Sequence, residues 1–427
     1  MILELKVRNF LSFKEKVTFS FEATADKSFE DYYVTEVVPG VRILKMAMVY
    51  GANASGKSNL IEAFGFLSDF IDRKSEDKND GIPFVPFMFG ETVEEPGSFE
   101  LVFYVKKTKY VYFLELDREK VIQERLLFYP GTQPAIIFDR NYNSENDESE
   151  FSFGAKIKKD KASVEAIRVK LLKNVSFFVA YNQVNFSNEI IDGVMHFFYH
   201  QFLDPITPEV KLAGYTTANI KKDAALKDFA VRFMKNAQYN ISDIKIRTEH
   251  KEVPEEMHGV LRNSDMPESA REELISKGYE QNLLEFEHSI LNDDAIETYD
   301  LPEAYQSEGT IRYYGFSAPL FRAFKNNAFL AIDELESKLH SHLVKHLVRE
   351  FLMEGRKYPK VQLLFTTHDT SLLSEKEMLR KDAIWFTEQL ENGSTDLYSM
   401  SDFDIRKELS YYNAYNHGKF GAIPNLD

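Results

Sequence analysis

Ile43-Leu-Lys-Met-Ala-Met-Val-Tyr-Gly-Ala-Asn-Ala-Ser-Gly-Lys-Ser58 is the stretch on which the fold turns. Ile43 to Tyr50 is an apolar run that predicts a buried strand, and it feeds directly into Gly51-x-x-x-x-Gly56-Lys57-Ser58. Beyond it Leu60, Ile61, Phe64, Leu67 and Ile71 recur at helical spacing, until a polar run from Asp72 to Asp80 ends the period. Strand, glycine-rich loop, helix is the context in which this spacing binds phosphate. Glycine removes Cβ obstruction, so that the backbone N–H groups of Gly51, Ala52, Asn53, Ala54, Ser55 and Gly56 can wrap a β-phosphate. Lys57 then lies against the β- and γ-phosphates, and Ser58 offers a hydroxyl to Mg²⁺.

Two later strands carry complementary chemistry. Phe329-Leu-Ala-Ile-Asp333-Glu334 is a buried strand with two carboxylates at its end. Asp333 is placed to hold Mg²⁺ through water, and Glu334 to orient and deprotonate an attacking water. Leu363-Leu-Phe-Thr-Thr-His368-Asp369 is a third such strand, whose His368 can sense a γ-phosphate or its attacking water. These readings make Lys57, Glu334 and His368 the catalytic candidates, with Ser58 and Asp333 on the metal.

Around these motifs the chain divides into three. Residues 1–162 hold two opening strands, the phosphate loop and an antiparallel meander through Phe99–Val105 and Tyr110–Leu116. Residues 163–300 lose regular strand signals and read as a mainly helical insertion, with Leu226, Phe229, Ala230, Phe233 and Met234 on one helical face. Residues 301–427 resume strand–helix alternation, with a helix from about Ser337 to Met353 and a closing hairpin at Ala383–Thr387 and Thr395–Ser399. Alternation of this kind predicts an α/β core with a largely parallel sheet, a β-rich N-terminal lobe and an insertion.

Composition narrows the chemistry further. Cysteine is absent, which removes disulfides, thiolate nucleophiles and Cys-based metal sites. No apolar run is long enough to span a bilayer and the opening residues lack a signal-peptide pattern, so the expected place is the cytoplasm, away from membranes. A formal charge of -16 argues against a generally basic nucleic-acid surface while leaving room for a local groove.

Taken together, Val7-Arg-Asn-Phe-Leu-Ser-Phe13, Gly51–Ser58 with Asn59, Asp333-Glu334 followed by Leu339-His340, Thr366-Thr-His368-Asp369 and the terminal Lys419-Phe-Gly-Ala-Ile-Pro424 resemble the ABC/SMC-type P-loop ATPases. The resemblance is closer still to the ATPases of prokaryotic abortive-infection systems, and it covers about 1–138 and 300–427. It implies ATP and Mg²⁺ as ligands and a functional homodimer of nucleotide-sandwiching heads, higher oligomers remaining open. By the same resemblance Ser307-Glu308-Gly309 takes the place of the signature loop, with Ser307 and Gly309 on the γ-phosphate of a partner head. Glu308 and Thr310 depart from the common Gly and Gln there, and the interval Phe84-Val-Pro86-Phe87 lacks the usual lid glutamine. Glu336, Ser337 and Asp369 fall near the head boundary, and His340 reads as structural.

The function so implied is ATP hydrolysis driving head dimerisation and signalling, as the sensor of an anti-phage defence system with a separate effector protein. The alternative is an SMC-like DNA-binding repair or chromosome-associated ATPase, although no long heptad arm is visible. Asp402-Phe-Asp404 is superficially nuclease-like, but its carboxylates sit in a polar segment without further ligands. A guanine-reading Asn/Thr-Lys-x-Asp element is missing, which disfavours a GTPase.

Overall fold

The computed structural model describes residues 1–75, 77–264, 266–293, 295–404 and 409–423. These form two compact units: Met1–Glu209 with Arg322–Ser337 and Val344–Asp427, and Val210–Phe321 with Lys338–Leu343.

The first unit is built on a five-stranded sheet in the order Phe329–Ile332, Gln362–Thr366, Met46–Gly51, Ile384–Gln389, Thr395–Ser399. The first four strands run parallel and the last is antiparallel to its neighbour. Every residue of Met46–Gly51, Phe329–Ile332 and Gln362–Thr366 is buried, as strands covered on both faces require. Beyond Phe329–Ile332 the segment Phe202–Ile206 makes parallel bridges to Phe329 and Ile332, so this outer strand has no bare edge. A second sheet of seven antiparallel strands runs from Glu148–Phe153 through the meander to Ile2–Arg8 and Val17–Ser20.

The helix Lys57–Asp72 belongs to both packing layers. Phe64 meets Phe329 of the central sheet with ring centroids 4.8 Å apart, and Phe66 stacks on Phe99 of the antiparallel sheet at 4.9 Å. Two buried phenyl rings on opposite sides of one helix are each worth roughly 2–3 kcal/mol of burial, and they fix the direction in which its N-terminus, with Lys57, points.

A buried ion pair locks the meander. Arg140 Nη1 lies 3.0 Å from Glu124 Oε2, both side chains being fully inaccessible. Glu124 also accepts from the Tyr112 hydroxyl and the Phe177 amide, while Arg140 donates to the Leu172 and Val175 carbonyls. The pair thereby ties residues Leu172–Phe177 to the sheet.

The strand read as Ile43–Tyr50 is two strands. Val41–Leu44 pairs with Val34–Val38 in a separate ribbon, and Met46–Gly51 alone enters the central sheet. The break falls at Lys45, whose buried ammonium must find a partner and does so at the Gly355 carbonyl, 3.0 Å away. The helix expected from Ser337 begins at Ser341, after Lys338 has adopted a left-handed φ of 63°.

The second unit carries the helices expected of the insertion and adds a sheet to them. It contains the helices Leu212–Ile220, Ala224–Asn236, Glu255–Arg262 and Glu268–Lys277, but also an antiparallel sheet of Ile241–Lys251, Tyr279–Asn292 and Ala295–Pro302. Its bounds also depart from 163–300. The strands escaped notice because only Ile241, Ile244, Leu284 and Phe286 of the sheet are buried. Cross-strand charges, Lys245 to Glu287 and Asp300 and Arg247 to Glu285, occupy positions where apolar alternation would otherwise have shown.

Candidate nucleotide site

The phosphate loop leaves the end of Met46–Gly51 and turns into Lys57–Asp72. Gly56, at the helix N-cap, has a φ of 97°, and a Cβ there would collide with Thr395 Oγ1 and Ser12 Oγ. A Cβ on Gly51 would collide with Ser55 and Thr387 oxygens. Both motif glycines are therefore demanded by close neighbours as well as by backbone shape.

Those neighbours form a brace behind the loop. Ser55 Oγ is 2.7 Å from Thr387 Oγ1, and Thr395 Oγ1 donates to the Ser55 carbonyl at 2.9 Å and lies 2.7 Å from Ser12 Oγ. Asn59 Nδ2 donates to the same Ser12 hydroxyl at 2.6 Å. Asn9, three residues before Ser12, holds a different segment, accepting from the Phe87 amide and donating to the Thr92 and Glu95 carbonyls. Ser12 lies inside the Val7–Phe13 motif and Thr387 and Thr395 inside the closing hairpin, and none of the three is marked by its motif as a support of the loop. A run of hydroxyl residues at strand ends was the available signal.

Lys57 is buried and donates to the carbonyls of Gly51 and Ala52, both at 2.9 Å. Burial pushes its ammonium down to about 8, against the opposing attraction of Asp333, Glu336 and Glu334. Ala52, Asn53, Ala54 and Ser58 lie towards solvent around it.

Asp333 and Glu334 end Phe329–Ile332 beside Thr366. The Thr366 hydroxyl donates to Asp333 Oδ1 at 2.5 Å and accepts from the Glu334 amide at 2.8 Å. Glu334 holds a left-handed φ of 46°, a conformation that costs a non-glycine residue about 1 kcal/mol and tends to persist where geometry matters. The His368 amide donates to Glu336 Oε1 at 2.5 Å. The His368 imidazole is held below its usual range by desolvation and by Lys57, with Glu336, Glu334 and Asp333 opposing. It is therefore neutral near pH 7, with one nitrogen free to accept.

A pocket of about 930 Å³ opens at the loop, lined by Gly51, Ala52, Asn53, Ser55, His368 and Thr387 together with residues from the end of the chain. The first unit thus brings Lys57, Asp333, Glu334, Glu336 and His368 to one end of the central sheet.

Other motif residues lie elsewhere or act locally. Ser307 and Gly309 belong to the second unit, where Ser307 Oγ accepts from the Thr310 amide at 3.1 Å and so caps the helix Glu308–Asn326. Glu308 pairs with Lys338 at 3.3 Å, and Gly309 backs onto the Lys338 carbonyl. Asp369 accepts from the Ser371 amide as the cap of the next turn, and Asp402 completes a capping box with Ser399. Phe420 and its neighbours to Ile423 are described, whereas Pro424 lies outside the described residues. Among the described residues no group of three or more His, Asp or Glu is arranged to hold a metal by itself, and no helix is long and apolar enough to cross a membrane.

Comparison with known proteins adds a family. No curated protein matches the chain. Solved structures of similar architecture include the SMC head domain from Thermotoga maritima, 13% identical over 95% of this chain and 99% of that one, with a TM-score of 0.45. They also include an SmcHead bound to the C-winged helix domain of ScpA, at 13% identity, 93% and 97% coverage and a TM-score of 0.41. An Smc head domain with an extended coiled coil, bound to the C-terminal domain of ScpA derived from Pyrococcus furiosus, gives 11% identity, 98% coverage of both chains and a TM-score of 0.40. The family model described as "AAA domain, putative AbiEii toxin, Type IV TA system" matches residues 46–173 and 214–374, more than half of the chain. With the phosphate loop, the paired carboxylates and the strand before His368 all inside that match, the chain belongs to this family of AAA-type P-loop ATPase domains.

Proposed function

We propose that the chain binds and hydrolyses ATP, and that hydrolysis governs the association of two copies in a signalling ATPase of a defence system. The observation that carries the reading is the convergence of Lys57, Asp333, Glu334 and His368 at the mouth of a loop whose two glycines leave no room for side chains.

The residues present suit ATP with Mg²⁺. Lys57 already turns its ammonium towards loop carbonyls and would exchange them for β- and γ-phosphate oxygens. Ser58 and Asp333 would hold Mg²⁺, whose chemistry would be to neutralise charge on the β- and γ-phosphates. Thr366 positions Asp333 for this by donating to one of its carboxylate oxygens. Glu334 orients the attacking water and takes its proton as the new P–O bond forms and the bond to the ADP oxygen breaks. His368, neutral, accepts or donates one hydrogen bond at the γ-phosphate. Ser307 and Gly309 of a second copy would close the site from the other side, the helix N-terminus favouring the anion.

The defence role draws on the words "AbiEii toxin" and "Type IV TA system" in the family description, and a separate effector protein is part of the same proposal. The SMC-like reading, in which nucleic acid is clamped, draws on the compact unit inserted between two halves of the ATPase core. ATP turnover by the purified chain, with and without DNA, tests both. Loss of turnover in Lys57→Ala is expected, and turnover unaffected by that change would overturn the proposal. Strong DNA stimulation, suppressed by salt, would favour the second reading.

A further inference from the structure

The pocket at the phosphate loop is larger than the loop itself explains. Its far wall comes from the last stretch of the described chain, with Tyr415, Asn416, Ala422 and Ile423, and from Glu388 and Gln389 at the end of a central strand. The family match stops at residue 374, so nothing in it gives these residues a role.

This wall is fixed in place. The short helix Tyr411–Asn416 ends in a turn that closes through the Tyr415 hydroxyl, which donates to the Ala422 carbonyl at 2.9 Å. Phe386 stacks on Tyr415 at 5.7 Å and on Phe420 at 5.4 Å, and Tyr50 packs on Tyr415 from the phosphate-loop strand. The Tyr398 hydroxyl donates to the Phe420 carbonyl at 2.8 Å. Gly421 is tightly placed, since a Cβ there would press on Tyr398 and Glu388 oxygens, and its φ is 65°. Phe386 is followed directly by Thr387, which braces Ser55 in the loop. One strand therefore holds the loop through one residue and the terminal segment through the next.

The chemistry of the wall differs from that of the loop. Glu388, an exposed carboxylate, disfavours a phosphate chain on that side, while Asn416 and Gln389 present neutral amides and Ile423 an aliphatic face. Neutral donors and acceptors beside an apolar surface suit a planar heteroaromatic base and its ribose. Resting on the proposed nucleotide function, we infer that the terminal segment Tyr411–Ile423 is the nucleoside-binding wall of the pocket, with Asn416 and Gln389 contacting the part of ATP that the loop does not wrap.

Inorganic tripolyphosphate separates the two halves of the ligand, because it offers the phosphates without a nucleoside. Binding of ATP and of tripolyphosphate to the full chain is measured by calorimetry for the wild type, for Asn416→Ala with Gln389→Ala, and for Lys57→Ala. Both amides are exposed, so the double variant folds, which a thermal melt verifies. The expected result is about a tenfold loss of ATP affinity in the double variant, the scale of one or two hydrogen bonds, with tripolyphosphate affinity retained. Equal ATP affinity in double variant and wild type would overturn the inference, as would equal losses for ATP and tripolyphosphate. Lys57→Ala should weaken both ligands; if it weakens neither, the nucleotide function itself fails, whatever the amides do.

Discussion

Thr366 and Asp333 are joined by a 2.5 Å hydrogen bond from hydroxyl to carboxylate, and the same hydroxyl accepts the Glu334 amide. One side chain on a neighbouring strand thus sets the position of both carboxylates. Replacing it by Val keeps the volume and removes both bonds. Bonds to charged groups are worth about 1.5–3 kcal/mol, so Thr366→Val should lower turnover about tenfold or more. ATP affinity, carried mainly by the loop, should fall less. A comparison of kcat with ATP affinity checks this, and an affinity loss with kcat intact would assign Thr366 to binding instead.

Glu334→Gln removes the base while keeping the shape of the side chain and the Thr366 contact, which involves the backbone amide. General-base catalysis is worth about 10²–10⁴-fold, so turnover should fall in that range with ATP still bound. If two heads share the nucleotide, the variant should accumulate as an ATP-dependent dimer in sedimentation. Turnover equal to that of the wild type would remove Glu334 from the mechanism.

The sign of the pH dependence follows from Lys57, whose ammonium titrates at about 8 in the free protein. Bound phosphates favour the charged form, so the lysine in the complex titrates higher. Between the two values binding must take up a proton. ATP affinity should therefore be flat below pH 8 and fall above it, by up to tenfold per pH unit. Calorimetry in buffers of different ionisation enthalpy would reveal the proton uptake. An affinity unchanged from pH 7 to 9.5 would mean that Lys57 is fully charged before ATP arrives.

How far the chain could be read in advance depended on where the information was stored. The placing of Gly51–Ser58 and of Asp333-Glu334 at strand ends was legible because each motif directly follows its own apolar run. His368 was legible only in the company of the other two. The brace of Ser12, Ser55, Thr387 and Thr395 was not, since it joins residues more than 300 positions apart through single hydroxyl contacts. The sheet of the second unit was hidden for a different reason: its long, backbone-paired strands carry charges across from one another and bury few side chains. The terminal wall was noticed only as a resemblance around Lys419–Pro424, because its place depends on the stacking of Phe386 with Tyr415 and Phe420.

The buried Arg140–Glu124 pair should matter to stability well away from the nucleotide. Arg140→Met strands a buried carboxylate together with the Leu172 and Val175 carbonyls, a loss of about 3–5 kcal/mol. Adding Glu124→Gln removes the stranded charge, so the double variant should recover part of it. Urea midpoints of the three proteins measure this. Equal midpoints for the single and double variants would mean that the lost carbonyl contacts, rather than the uncompensated charge, dominate.

Ser307 offers the sharpest separation between a capping residue and one that meets a partner's triphosphate. Its hydroxyl accepts from the Thr310 amide, a role that Asp fills equally well at a helix N-cap. Ser307→Asp should therefore leave the melting temperature close to that of the wild type, and it should leave ATP binding by the single head intact. If the same residue approaches the γ-phosphate held by a second copy, the new carboxylate brings like charge against like charge. ATP-driven dimers should then disappear, most clearly in a Glu334→Gln background where hydrolysis no longer drains them. Ser307→Arg tests bulk in place of charge and loses the cap as well, so it should lower both stability and association. Sedimentation with ATP distinguishes these cases: a stable Ser307→Asp protein that still dimerises would confine Ser307 to its helix.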